Sequence, residues 1–192
     1  MQPQPTLPTL LLTTAVLDVR QFEAETRGEG SRAIRSRVHL DDLHNWTVER
    51  GERVITCRDG EISPPRSGAY EVKGPYREQQ PVWASYAGFW TLQLLCPALF
   101  TCCLDDDCAW KIDGSSATLA GTPAYYSPQR PVDGIVADPV VRVDARLDLR
   151  LGVATHVTTT NHDGTQFFFL LRSVTPRSGV THRWEHDEDA AD

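Results

Sequence analysis

The sequence predicts an α+β fold, an antiparallel β-sheet with a helical insert lying against it. Three observations carry that reading. From Val141 to Leu151, the apolar residues Val141, Val143, Ala145, Leu147, Leu149 and Leu151 alternate strictly with Arg142, Asp144, Arg146, Asp148 and Arg150. Period two puts each set on its own face of a strand, so one face of the sheet is dry and the other wet, as in antiparallel sheets covered on one side. Asp59-Gly60 and Asp163-Gly164 each follow a β-rich run, and Asp-Gly is a strong tight-turn signal. Between these two turns lie 26 residues, Gln79 to Leu104, without a formal charge.

Taken in order, the N-terminal part reads as helical. Leu12, Ala15, Val16, Val19 and Phe22 recur three or four apart within Pro8 to Arg27. That spacing predicts an amphipathic helix, or a helix running into an edge strand. Gly28-Glu29-Gly30-Ser31 ends it, so residues 1–34 are expected to be an N-terminal helix and linker. In Arg35 to Arg58, Val38 and Leu40, then Trp46 and Val48, alternate with polar neighbours, and Arg53 to Arg58 follows a turn at Gly51. These are antiparallel strands. Ile62 to Gly68, with Pro64-Pro65, reads as a loop.

The uncharged stretch is long enough to span a bilayer, which takes about 20 apolar residues. Pro97 would interrupt such a helix, and a span would separate flanking strands that belong to one sheet. Two short buried helices broken near Pro97 are therefore expected, and no transmembrane segment. Downstream, Trp110 to Gly114, Ala117 to Leu119, Thr122 to Tyr126, Val153 to Thr160 and Thr165 to Val174 read as strands, and Pro128 to Pro139 as a loop. Phe167-Phe168-Phe169 places bulk on both faces, so the second face needs cover too. The expected domain runs over residues 35–176, with the insert near 82–104 and a flexible acidic tail at 177–192.

Composition narrows the function classes. With 192 residues and 23% charged, the chain fits one globular domain and not a disordered chain, a collagen or a coiled coil. Its net charge is −7, but Glu185, Asp187, Glu188, Asp189 and Asp192 supply five of the negative charges. The remainder holds 19 basic and 21 acidic residues, a balance of −2. With no basic patch, no nucleic-acid partner is expected. Met1-Gln2-Pro3-Gln4-Pro5 carries no positive region ahead of the first apolar run. The expectation is a cytoplasmic protein with reduced thiols, export following only if the start codon is misassigned.

Catalytic signatures fail: there is no G-x-S-x-G, no H-E-x-x-H, and neither Lys73 nor Lys111 follows a glycine as in a phosphate loop. No enzyme and no cofactor are expected. Cys96, Cys102, Cys103 and Cys108 lie within thirteen residues but form no C-x-x-C knuckle, so they read as buried filler or a disulfide rather than a metal site. His182 and His186 read as solvated tail residues, and His156 and His162 as surface residues flanking a hairpin turn. Asp105, Asp106 and Asp107 read as a solvated cap, and the Arg and Asp residues of Val141 to Leu151 as a ladder of exposed ion pairs.

The order of elements resembles the lipoprotein-carrier (LolA-like) half-barrel family, and more closely a set of uncharacterised bacterial relatives. The resemblance rests on Trp46-Thr47-Val48 leading to Asp59-Gly60, and on the apolar insert Leu92 to Leu104 with Pro97. It continues in the strand Val140 to Asp144, in Gly152-Val153, and in Asp163-Gly164 before the Phe-rich strand. It covers roughly Arg35 to Val174. It implies a curved antiparallel sheet, an incomplete barrel, whose concave face the helical insert covers. It also implies a non-enzymatic binding protein that holds a lipid or other hydrophobic ligand between sheet and insert. Trp83, Phe89, Trp90, Leu95, Leu99 and Phe100 would line the insert side, and Phe167 and Phe169 the sheet side. The alternative is a protein–protein adaptor, or a regulatory module like the relatives that act in sigma-factor pathways, with a fully packed interior.

Overall fold

The computed structural model of the chain describes residues 19–64, 81–105, 108–124, 135 and 140–186. The strands are β1 (Val19–Gly28), β2 (Ile34–Leu40), β3 (Trp46–Arg50), β4 (Arg53–Arg58), β5 (Glu61–Ser63), β6 (Ala109–Asp113), β7 (Ser116–Gly121), β8 (Val140–Asp148), β9 (Val153–Asn161), β10 (Gln166–Pro176) and β11 (His182–Arg183). They form one antiparallel sheet in the order β5-β4-β3-β2-β1-β10-β9-β8-β7-β6, with β11 added alongside β10. The two end strands, β5 and β6, do not pair with each other, so the curved sheet is an incomplete barrel. Between β5 and β6 comes the insert: α1 (Val82–Ala87), α2 (Phe89–Leu95) and α3 (Ala98–Thr101).

Local chemistry explains the hairpins. Asp59 and Gly60 are the whole loop between β4 and β5, at φ of 51° and 86°. A two-residue loop with positive φ at both positions matches the strand twist, and Asp-Gly tolerates it best. On β8, Val143, Ala145 and Leu147 are buried while Arg142 and Arg146 are exposed, as the alternation predicts. The insert packs on the other elements through the buried set. α1 lies over β2 and β3, and α2 over β9 and β10.

Four expectations change. The stretch around Val19 and Phe22 is β1, a strand rather than a helix. It is also central, paired with β2 on one side and β10 on the other. A register shift between Val19 and Gln21 puts Val19 and Phe22, three apart, on the same buried side, which imitates helical spacing. The insert has a second break at Gly88, besides the one at Pro97. Glu61–Ser63 is a short strand rather than loop. Thr122 to Ala124 is not a separate strand. Pro123 bridges to Leu104, the Asp105 N–H donates to the Thr122 carbonyl, and the Ala124 N–H donates to the Cys103 carbonyl, so this segment closes the insert onto the sheet.

The helix expected in residues 8–18, the remainder of the Thr122 to Tyr126 strand, most of the Pro128 to Pro139 loop and the tail beyond His186 lie outside the described residues. Among the described residues, no helix is long and apolar enough to cross a membrane.

Candidate functional site

The inner face of the sheet meets the insert in an aromatic seam. Phe22 of β1 stands edge-on to Trp83 of α1, with ring centroids 5.4 Å apart. Trp46 of β3 lies 5.7 Å from Tyr86, and Phe169 of β10 lies 5.7 Å from Trp90 of α2. Leu94, Leu95 and Phe100 complete the insert side, all fully buried. Two side-chain hydrogen bonds tie the insert down. Ser36 Oγ of β2 donates to the Ala87 carbonyl at 2.9 Å. The Ile135 N–H donates to Gln93 Oε1 at 3.0 Å. Both bonds are buried, and each satisfies a polar group that would be costly to leave unpaired.

Of the residues expected to line a ligand site, Trp83, Trp90, Leu95, Phe100 and Phe169 converge on this seam as packed core. Leu99 and Phe167 do not join them: they are 41% and 37% exposed. Phe167 lies against Gly28 at the far end of β1. The side chain of Phe89 is outside the described residues.

The outer face is less bare than the alternation implies. Glu25 of β1 points outward yet is only 3% exposed. Its carboxylate accepts from Arg35 Nε at 3.0 Å and from an Arg172 terminal nitrogen at 3.2 Å. Thr181 to His186 folds back along β10. Arg183 pairs with Ser173, His182 with Val174, and the Trp184 N–H donates to the Arg172 carbonyl. His186 ends the described chain, buried, with Nε2 3.2 Å from the Leu171 carbonyl and its ring 5.8 Å from that of His156. The readings of His186 as a solvated tail residue and of His156 as a plain surface residue are therefore corrected. The local pattern of a short polar tail holds no signal for this burial, because the cover is built by long-range pairing with β10. Phe168 lies between His156 and the Arg27 guanidinium, which supplies the outer-face cover that three consecutive phenylalanines require.

The ion-pair ladder is also corrected in part. β8 ends at Asp148, whose buried carboxylate accepts the Arg150 and Leu151 backbone N–H groups and pairs with the Arg150 guanidinium. Asp148 is the last strand residue and holds the turn that follows it, and Leu149 to Leu151 lie beyond the strand. Arg142 and Asp144 remain an exposed pair on the outer face.

The five cysteines are free thiols, with Cys57 buried and Cys102 exposed. Cys102 and Cys103 place their sulfurs 3.8 Å apart. Burial raises the Cys96 thiol above its ordinary pKa. Among the described residues, no group of three or more His, Cys, Asp or Glu side chains is placed to hold a metal ion.

Sheet, open edges and inner helical insert define the class: an α+β half-barrel. Comparison with solved structures finds similar chains. One is MucB in complex with MucA(peri), with 13% identity over 97% of this chain and 60% of that one, at a TM-score of 0.39. A second is the MucA/MucB complex of Pseudomonas aeruginosa, with 14% identity over 90% of this chain and 54% of that one, at a TM-score of 0.33. A third is a LolA superfamily protein from Nitrosomonas europaea, with 10% identity over 97% of both chains, at a TM-score of 0.31. The chain thus spans 60% and 54% of the length of the first two. No protein-family model matches the chain, and no curated protein matches it.

Proposed function

We propose that the chain is a non-enzymatic binding protein that holds a lipid or another apolar molecule between sheet and insert. The observation that carries this is the construction of the seam. An uncharged insert is divided into helices of 6, 7 and 4 residues, with joints at Gly88 and Pro97. Helices this short do not hold themselves in water, so their position is set by what they pack on. What they pack on is a row of aromatic and aliphatic side chains, and apolar contacts are non-directional. An acyl chain entering the seam would replace those contacts with equivalent ones while the jointed helices shift outward.

Mass spectrometry of the purified full chain tests this directly. The expected result is a copurifying lipid, released by organic extraction, together with a shift of tryptophan emission from Trp83 and Trp90 when a long-chain fatty acid is added. A lipid-free protein whose emission does not respond would overturn the proposal.

A second reading has its own support. Among the described residues β6 ends the sheet, with Ile112 40% exposed and Trp110 half-buried, a surface on which an extended partner segment can add a strand. MucB, one of the similar structures, is seen in complex with a protein partner. A lipid-free chain that captures such a segment would favour this reading.

A further inference from the structure

A cleft of about 500 Å³ opens on the outer face over β6, β7, β8 and β9, on the opposite side of the sheet from the insert. Register explains its shape. Lys111 pairs with Thr118, Thr118 with Arg146, and Arg146 with His156, so these four form one row across four strands. The next row on the same face is Ala109, Ala120, Asp144 and Thr158. Two alanines beside long side chains leave a depression, and its volume falls in the range of small-molecule sites, about 300–1,000 Å³.

The chemistry of this depression is cationic and rich in hydroxyls. Neighbouring strands lie about 4.8 Å apart, so the Lys111 and Arg146 backbones stand about 10 Å apart with Thr118 between them. Both side chains are long enough to converge above that hydroxyl. The carboxylate in the cleft, Asp144, has its charge offset from outside: Arg142 donates to both of its oxygens, at 2.6 and 2.7 Å. His156 Nε2 lies 2.9 Å from the Thr158 hydroxyl, which fixes the far wall. His156 itself reports the local field. Burial, then His186, Arg146, Arg27 and Arg172, push its pKa down to about 4, so it stays neutral at pH 7.

We propose that this cleft binds a molecule through one anionic group, phosphoryl or carboxylate, seated between Lys111 and Arg146 over the Thr118 hydroxyl. A guanidinium, an ammonium and a hydroxyl offer charge-assisted donors from three sides, and the alanine row gives the rest of the ligand an apolar floor. The site is independent of the seam, so failure of either proposal leaves the other standing.

The test is an amide NMR titration of the full chain with inorganic phosphate and, separately, with acetate, at constant ionic strength. Saturable shifts at Lys111, Thr118, Ala120 and Arg146 are expected with at least one of the two. Lys111→Ala and Thr118→Val should each weaken binding about tenfold, whereas Arg37→Ala, at an exposed arginine of β2 outside the cleft, should leave the site occupied. Each variant's amide spectrum confirms that it is folded. Flotation with phosphatidylglycerol vesicles separates the sources. Flotation that K111A abolishes marks a lipid headgroup as the source of the anion, and no flotation beside saturable phosphate or acetate shifts marks a soluble ligand. Shifts that do not saturate, that follow exposed arginines throughout the chain, or that survive in a Lys111→Ala, Arg146→Ala double variant would overturn the site.

Discussion

The ring of His186 stands edge-on to that of His156, with centroids 5.8 Å apart and planes at 86°. This contact seats the end of the described chain on the outer face of β9 and makes one imidazole hard to charge. The pKa of His156 falls from 6.5 to about 4, through burial first and then His186, Arg146, Arg27 and Arg172. A folded-state pKa below the unfolded one means that the unfolded chain takes up the proton first as pH falls. Stability is therefore full above about pH 6.5 and is lost between there and pH 4. The shift corresponds to about 3 kcal/mol at most, and solvent reaching part of the ring reduces this to about 1–2 kcal/mol. Urea unfolding at pH 7 and pH 4.5 should show that loss, and His156→Gln should flatten it. An equal pH slope in the variant would refute the assignment.

Glu25 is a buried carboxylate held between two arginines. Its removal leaves Arg172, whose side chain is only 14% exposed, without the charge that it faces. Glu25→Ala should cost about 3–5 kcal/mol, and Glu25→Gln, which keeps the shape and a carbonyl oxygen, about 1–3 kcal/mol. Chemical denaturation at pH 7 measures both.

Gly88 joins α1 to α2 at a φ of 101°, and a Cβ there would collide with the Trp90 indole nitrogen. Gly88→Ala combines backbone strain with displacement of a core tryptophan, for about 2–4 kcal/mol. Gly114, at φ 57° with open space around it, offers the contrast. Gly114→Asn should cost less than about 1 kcal/mol, because asparagine tolerates the left-handed region. Thermal melts of the two variants should differ clearly, and the near-ultraviolet tryptophan signal should change only in the first.

Arg142 and Asp144 form an ion pair at 2.6 Å on the outer face, yet both are well exposed. Water screens such a pair, so Arg142→Ala should change stability by less than about 0.5 kcal/mol despite its bidentate geometry. A larger loss in urea unfolding would show that the pair supports the strand itself.

How much of this could be read from the residues follows from where their partners lie. Val143, Ala145 and Leu147 were legible because their alternation is local and the insert covers one face only. Asp59-Gly60 was legible because the turn requires backbone angles that few residues accept. β1 was not. Its inner residues beyond Phe22 are Ala24 and Thr26, one small and one polar, and its outer face buries a glutamate. The strand therefore shows no clean alternation, while its bulge supplies helical spacing. Trp83, Trp90 and Phe100 of the insert pack on the sheet, but composition does not distinguish a packed seam from a lined one. The outer cleft was missed because its four-residue row is assembled from four strands, and each strand contributes one unremarkable polar residue.

The pairing of β1 with β10 places the start and the end of the described sheet side by side at its middle. Every other pairing along the main strand order joins consecutive strands, β7 and β8 across a longer connection. During synthesis, then, the β1–β5 meander can form early, but the far edge of β1 waits for a partner about 140 residues downstream. Until β10 emerges, that edge presents unpaired backbone next to Phe22 and Ala24, the kind of template on which a second nascent chain can pair. The closing seam of this sheet is thus also its point of exposure to self-association on the ribosome, and yield should depend on how fast the C-terminal strands arrive.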